Sequence, residues 1–241
     1  MTLYPDTPAG QPLVLFFHGN SFPASTYSVM LDALRQRGMK VQALEKIGHN
    51  PAYPVTSNWP HIAKELALFA AAEVQKAGEP AFLVGHSLGG FLSLMTSCKH
   101  PELSRGVVLL DSPILGGWRA KTLQFAKVTQ LVGSISPGKI SQNRRYSWDS
   151  DHAALAHFAS KKMFAKWHPQ MLQDYITYCT HDDVKTGKRV LSFDRAIECC
   201  PARAFVDRQG TQSKLTCLRH WGQSTQRIRL PADQNLHLAA L

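Results

Sequence analysis

The sequence predicts an α/β fold: a mostly parallel β-sheet carrying an inserted helical cap. Three observations carry that expectation. Short apolar runs alternate with helix-patterned stretches over residues 12–113, and such alternation builds βαβ units on a parallel sheet. Polar segments follow three of the runs, at His18-Gly19-Asn20, Gly85-His86-Ser87 and Asp111. In parallel sheets, ligands bind beyond the carboxyl ends of the strands. The rhythm then stops: residues 114–189 are rich in aromatics, patterned as helices, and offer no good strand. A stretch of about 75 residues is too long for one crossover, so it reads as an insertion.

Each element has its own warrant. Pro12 to Phe17 (PLVLFF) is a fully apolar run, the signature of a strand buried on both faces. Ser25 to Arg37 places Val29, Met30 and Leu34 at helical spacing and stops at Gly38. Val41 to Leu44 is the second strand. Trp59 to Ala77 is a long amphipathic helix, with Ser57 or Asn58 as N-cap, Pro60 in its first turn and Gly78 at its end. Ala81 to Val84 and Arg105 to Leu110 are strands, and Leu88 to Cys98 is the helix between them. Further on, Ala202 to Val206 is a strand candidate and Gln226 to Leu230 a weaker one. Apolar periodicity is poor from Cys199 onward. The expected core is 1–113 with 190–241, and the expected cap is 114–189.

Composition narrows the function. The 241 residues carry 44% hydrophobic side chains and suit one core with an insertion. No run approaches a membrane span, and the N-terminus has no signal-peptide pattern. The five cysteines lack metal-site or disulfide-framework spacing. Reduced thiols in a cytoplasmic protein with no metal and no cofactor are expected. The net charge of +10 is uneven: zero over residues 1–114, +6 over 115–198 and +4 over 199–241. The basic residues are scattered rather than striped, which argues against nucleic acid and leaves an anionic small-molecule substrate open.

Gly85-His86-Ser87-Leu88-Gly89 carries the chemistry. In G-x-S-x-G between a strand and a helix, the serine sits on a sharp, strained turn and the glycines make room for it. The helix that follows points its N-terminus at the site, where negative charge is favoured. Ser87 is the expected nucleophile, and it needs a histidine base.

These residues resemble the α/β-hydrolase superfamily, in its serine esterase and lipase form. Residues 12–113 carry the likeness, through the His-Gly turn after the first strand, the elbow at Ser87 and the strand ending at Asp111. The resemblance implies an oxyanion hole from the backbone N–H groups of Asn20 and Leu88. His18 would order the loop with Gly19, and His86 would pack at the strand end. HGNSFPASTY also looks like the His-Gly-Asn loop of haloalkane dehalogenases, but a serine at the elbow fits acyl transfer.

The family's order of nucleophile, acid, histidine places the base late in the chain. His237 leads, His220 follows, and His181 in the cap is third. The acid is Asp207 or Asp111, with Asp233 behind them. The implied reaction is cleavage of a carboxylic ester through an acyl-enzyme. A thioesterase or carbon–carbon hydrolase on the same triad is the alternative. So is an impaired hydrolase-fold protein with a truncated or frame-shifted C-terminus. The resemblance also implies that the N-terminal antiparallel strands of larger relatives are absent.

Overall fold

The computed structural model describes residues 11–56, 59–112 and 145–193. Four strands form one parallel sheet: β1 (Leu13–Phe17), β2 (Lys40–Ala43), β3 (Ala81–His86) and β4 (Ser104–Leu110). Their order is β2-β1-β3-β4. Phe17 pairs with Gly85, and Gly85 with Leu109. All four strands run the same way, so His18, Ser87 and Asp111 emerge at one edge of the sheet. The predicted α/β fold with a parallel sheet is present.

The helices are α1 (Ser28–Gln36), α2 (Pro60–Ala77) and α3 (Leu88–Lys99). Alternation along β1 explains why they cover both faces. Leu13, Leu15 and Phe17 enter one buried cluster with Ile62 and Leu66 of α2 and Leu92 of α3. Val14 and Phe16 enter another, with Tyr27 and with Leu31 of α1. All five residues of β1 are buried, which is why its sequence shows no polar alternation.

Two boundaries differ from expectation. Ser25 to Tyr27 belongs to a 3₁₀ turn (Ala24–Tyr27), and the helix proper begins at Ser28. The N-cap of α2 is Trp59, with φ 55° and no side-chain cap, whereas the expected caps Ser57 and Asn58 lie outside the described residues. Pro60 is the physical cause: its ring bars the preceding residue from right-handed helical angles, so the chain can enter the helix only after Trp59.

Residues 145–193 hold α4 (Asp151–Ala159), α5 (Pro169–Cys179) and, against expectation, an antiparallel sheet. Its strands are β5 (Ser147–Trp148), β6 (Thr180–Asp183) and β7 (Lys188–Leu191), in the order β5-β7-β6. They are two to four residues long, too short for an alternating apolar pattern to mark them. A tight β6–β7 connection holds them: Asp183 accepts from the backbone N–H of Lys185 at 3.1 Å and the Thr186 hydroxyl at 2.6 Å, and Gly187 takes φ 65°. Trp148, Phe158, Phe164, Tyr175 and Ile176 form a third buried cluster. Helix α5 fastens it to the first half of the chain. Ser28 donates to the Asp174 carboxylate, and Thr26 meets Cys179 at 3.4 Å. Cys179 is buried.

Candidate active site

Ser87 stands between the last residue of β3 and the first of α3, with φ 49° and ψ −113°. A non-glycine residue there stores about 1–3 kcal/mol of backbone strain, so its surroundings must hold it. Its N–H donates to the Leu110 carbonyl at 2.9 Å. Its carbonyl accepts from the Ser112 hydroxyl at 2.9 Å and the Gly90 N–H at 3.1 Å. The glycines are sterically required. A Cβ on Gly85 would lie 2.3 Å from the Gly89 backbone, and one on Gly90 would lie 2.0 Å from the Ser112 hydroxyl. A Cβ on Gly89 would lie 1.9 Å from the Phe17 carbonyl oxygen. That contact presses the first turn of α3, with Leu88 at its start, against the end of β1.

The loop after β1 lies beside this turn. Phe22 N–H closes it on the Gly19 carbonyl at 3.2 Å, with Ser21 at φ 66°. His18 is buried and has both ring nitrogens engaged. Ile47 N–H donates to Nε2 at 2.7 Å, so Nδ1 carries the proton and donates it to the Gly19 carbonyl at 2.7 Å. Burial lowers the His18 pKa to about 4, and nearby His49 and His86 push the same way. An imidazole so bonded has nothing left to offer the Ser87 hydroxyl. Phe193, just beyond β7, packs edge-on to His18 and His49, at 6.2 Å and 4.6 Å between ring centroids.

His86, the last residue of β3, bonds through Nδ1 to the Tyr27 hydroxyl at 2.7 Å and packs edge-on to Phe22. Burial lowers its pKa, and the Asp111 charge partly offsets this. Asp111 is exposed at the end of β4 with φ 43°.

The fold therefore brings Gly19, Asn20, His18, His86, Ser87, Leu88 and Asp111 to one edge. His237, His220, Asp207 and Asp233 lie outside the described residues. His181 is exposed on β6, where it bonds the Ser192 hydroxyl at 3.1 Å. Tyr27, Ser112 and Phe193 were missed by sequence reasoning. No spacing rule marks them, since each meets the site only through the fold. Among the described residues no group of His, Cys, Asp and Glu could hold a metal ion, and no helix is long and apolar enough to cross a membrane.

Known proteins resemble this chain. Rat monoglyceride lipase is 28% identical over 153 residues, covering 57% of this chain and 50% of that protein. Epoxide hydrolase B of Mycobacterium tuberculosis is 32% identical over 116 residues, 46% of this chain and 32% of that protein. The chain thus spans about half the length of the monoglyceride lipases it matches. Among solved structures, E-2-(acetamidomethylene)succinate hydrolase superposes with a TM-score of 0.58 at 22% identity, covering 81% of this chain and 66% of that one. The thioesterase domain of the curacin biosynthetic pathway gives 0.55 at 16% identity, covering 88% and 82%. Both likenesses concern the fold. The family model for serine aminopeptidase S33 matches residues 9–209. With most of its length inside that match and a serine elbow on a parallel sheet, the chain belongs to this family of α/β hydrolases.

Proposed function

We propose that the protein is a serine hydrolase that cleaves carboxylic esters through an acyl-enzyme at Ser87. The observation that carries this reading is the strained conformation of Ser87 between β3 and α3. It lifts the hydroxyl out of the sheet edge, where an acyl carbonyl can approach. Ser87 Oγ attacks the carbonyl carbon while a histidine takes its proton. The resulting oxyanion receives the N–H groups of Asn20 and Leu88. Collapse expels the alcohol, protonated by the same histidine, and water then releases the acid. His237 is the leading base and His220 the second. Asp111 or Asp207 orients the base and stabilises its charged form. His18 and Gly19 order the oxyanion loop.

The likeness to monoglyceride lipases supports a carboxylic ester as substrate. The aromatic cluster of residues 145–193 supports a cap over a partly apolar acyl or alcohol group. Phe22, beside the oxyanion loop, packs on Trp167 and Tyr175 of that cluster at 5.6 Å and 5.4 Å. On this reading residues 1–113 and 190–241 form the hydrolase core, and 114–189 the cap.

A fluorophosphonate probe tests the nucleophile. Wild type should label, and Ser87→Ala should not. A folded wild type that fails to label sinks the serine mechanism and leaves a hydrolase-fold binding protein. Assays of His237→Ala and His220→Ala on a short p-nitrophenyl ester then identify the base. Full activity in both variants would remove both assignments.

A further inference from the structure

We propose that Tyr27 is a positioning residue that locks the oxyanion loop to the nucleophile elbow. The proposal rests on the serine-hydrolase reading of Ser87. The loop after β1 and the distant end of β3 meet at one phenol oxygen. Gly19 N–H donates to Tyr27 Oη at 3.1 Å, and Tyr27 Oη meets His86 Nδ1 at 2.7 Å. A phenol has one proton to give and accepts through its oxygen. The Gly19 N–H occupies the accepting side, so the phenol proton goes to His86 Nδ1, and His86 carries its own proton on Nε2. The chain of donors runs in one direction, from the loop to the elbow.

Its geometry leaves little slack. A Cβ on Gly19 would lie 2.7 Å from His86 Nδ1 and 3.2 Å from Tyr27 Oη, so the loop backbone already touches both side chains. Tyr27 is 2% exposed, and its ring sits 4.7 Å from that of Phe16. Burial raises the phenol pKa, so it stays protonated and able to donate. Gly19 is thus held by its N–H on Tyr27 and by its carbonyl on His18. Those two bonds set the plane of the next peptide, whose N–H is the Asn20 donor. Protonation of His86, which faces Tyr27 and the Asp111 charge, would turn Nδ1 into a donor and break the chain.

The test is Tyr27→Phe, which deletes one hydroxyl and keeps the ring. Losing a whole oxyanion donor costs about 10²–10³ in kcat. A misaimed donor should cost about tenfold, with KM changed less than about twofold. Affinity for a trifluoromethyl ketone, which forms the tetrahedral oxyanion on Ser87, should fall in step with kcat/KM. Leu31→Ala weakens the same buried cluster without touching the hydrogen bonds. It should lower the melting temperature and leave kcat unchanged. His86→Leu removes the other half of the link and keeps the test alive if Tyr27→Phe does not fold. It should show the same loss, with no added loss in the double variant. An active wild type whose Tyr27→Phe variant keeps its kcat and ketone affinity overturns this proposal and leaves the serine mechanism standing. An additive loss in the double variant overturns it too. A folded wild type inert to fluorophosphonate and ester overturns both.

Discussion

His18 Nδ1 donates to the carbonyl of Gly19 at 2.7 Å, and through that bond a buried histidine governs the amide that follows. A carbonyl and the next N–H share one trans peptide plane and point in opposite directions. Holding the Gly19 carbonyl therefore aims the Asn20 N–H the other way. His18→Ala should lower kcat on an ester substrate by about 10- to 100-fold, a range at or below the loss of a full donor. It should also leave the Ile47 N–H buried without its acceptor, destabilising the fold by about 1–3 kcal/mol. Steady-state kinetics and urea unfolding on the same variant separate the two effects.

Acid should weaken the fold through the same imidazole. The unfolded chain protonates it near its ordinary value of 6.5, whereas the folded chain resists down to about 4. Between those values the unfolded state binds more protons, so stability falls as pH drops. His18 alone contributes up to about 3 kcal/mol of this loss. Half-buried His86, also lowered, adds in the same direction. Denaturant midpoints from pH 7 to pH 4 should show the fall, and His18→Gln should flatten it.

Gly89 and Gly38 separate two reasons for glycine. A side chain at 89 would collide with the Phe17 backbone at 1.9 Å, and neither backbone can yield. Gly89→Ala should cost about 3 kcal/mol, at the upper end of overpacking, and abolish labelling at Ser87. Gly38 has φ +81° and nothing within 4 Å. Gly38→Ala should cost only about 1–2 kcal/mol of left-handed strain and leave labelling intact. Denaturant titrations with probe labelling distinguish them.

Glu65 is a buried carboxyl on α2 that accepts from Asn50 at 3.0 Å, while its Oε2 has no hydrogen-bond partner. Burial pushes its pKa up. The folded state therefore holds its proton more tightly than the unfolded one, and stability falls as pH rises through its ordinary range. Glu65→Gln keeps an acceptor for Asn50 and removes the charge. It should raise the melting temperature at pH 8, with the gain vanishing near pH 3, where the wild-type carboxyl is neutral in both states.

Much of the site's framework was legible in the residues. PLVLFF showed no polar alternation because both faces of β1 are covered, and Ser87 announced itself because a strand-to-helix turn demands the glycines around it. The N-cap of α2 falls at Trp59 because Pro60 disfavours right-handed helical angles in the residue before it. Strands β5, β6 and β7 escaped because runs of two to four residues are too short to leave a period.

The sequence by itself determined the parallel α/β sheet, the elbow at Ser87 and the gathering of His18, Ser87 and Asp111 at one edge. Hydrophobic periodicity and glycine sterics are local, and a parallel sheet puts every strand's carboxyl end on the same side. Only the tertiary structure decided that His18 has both nitrogens engaged, that Tyr27 bridges Gly19 to His86, and that Ser112 braces the Ser87 carbonyl. Most of those hydrogen bonds join groups that only the fold brings together, and even the local one, from His18 to Gly19, depends on how the imidazole is packed. Their existence depends on distances of a few tenths of an ångström, which packing sets and residue spacing does not encode.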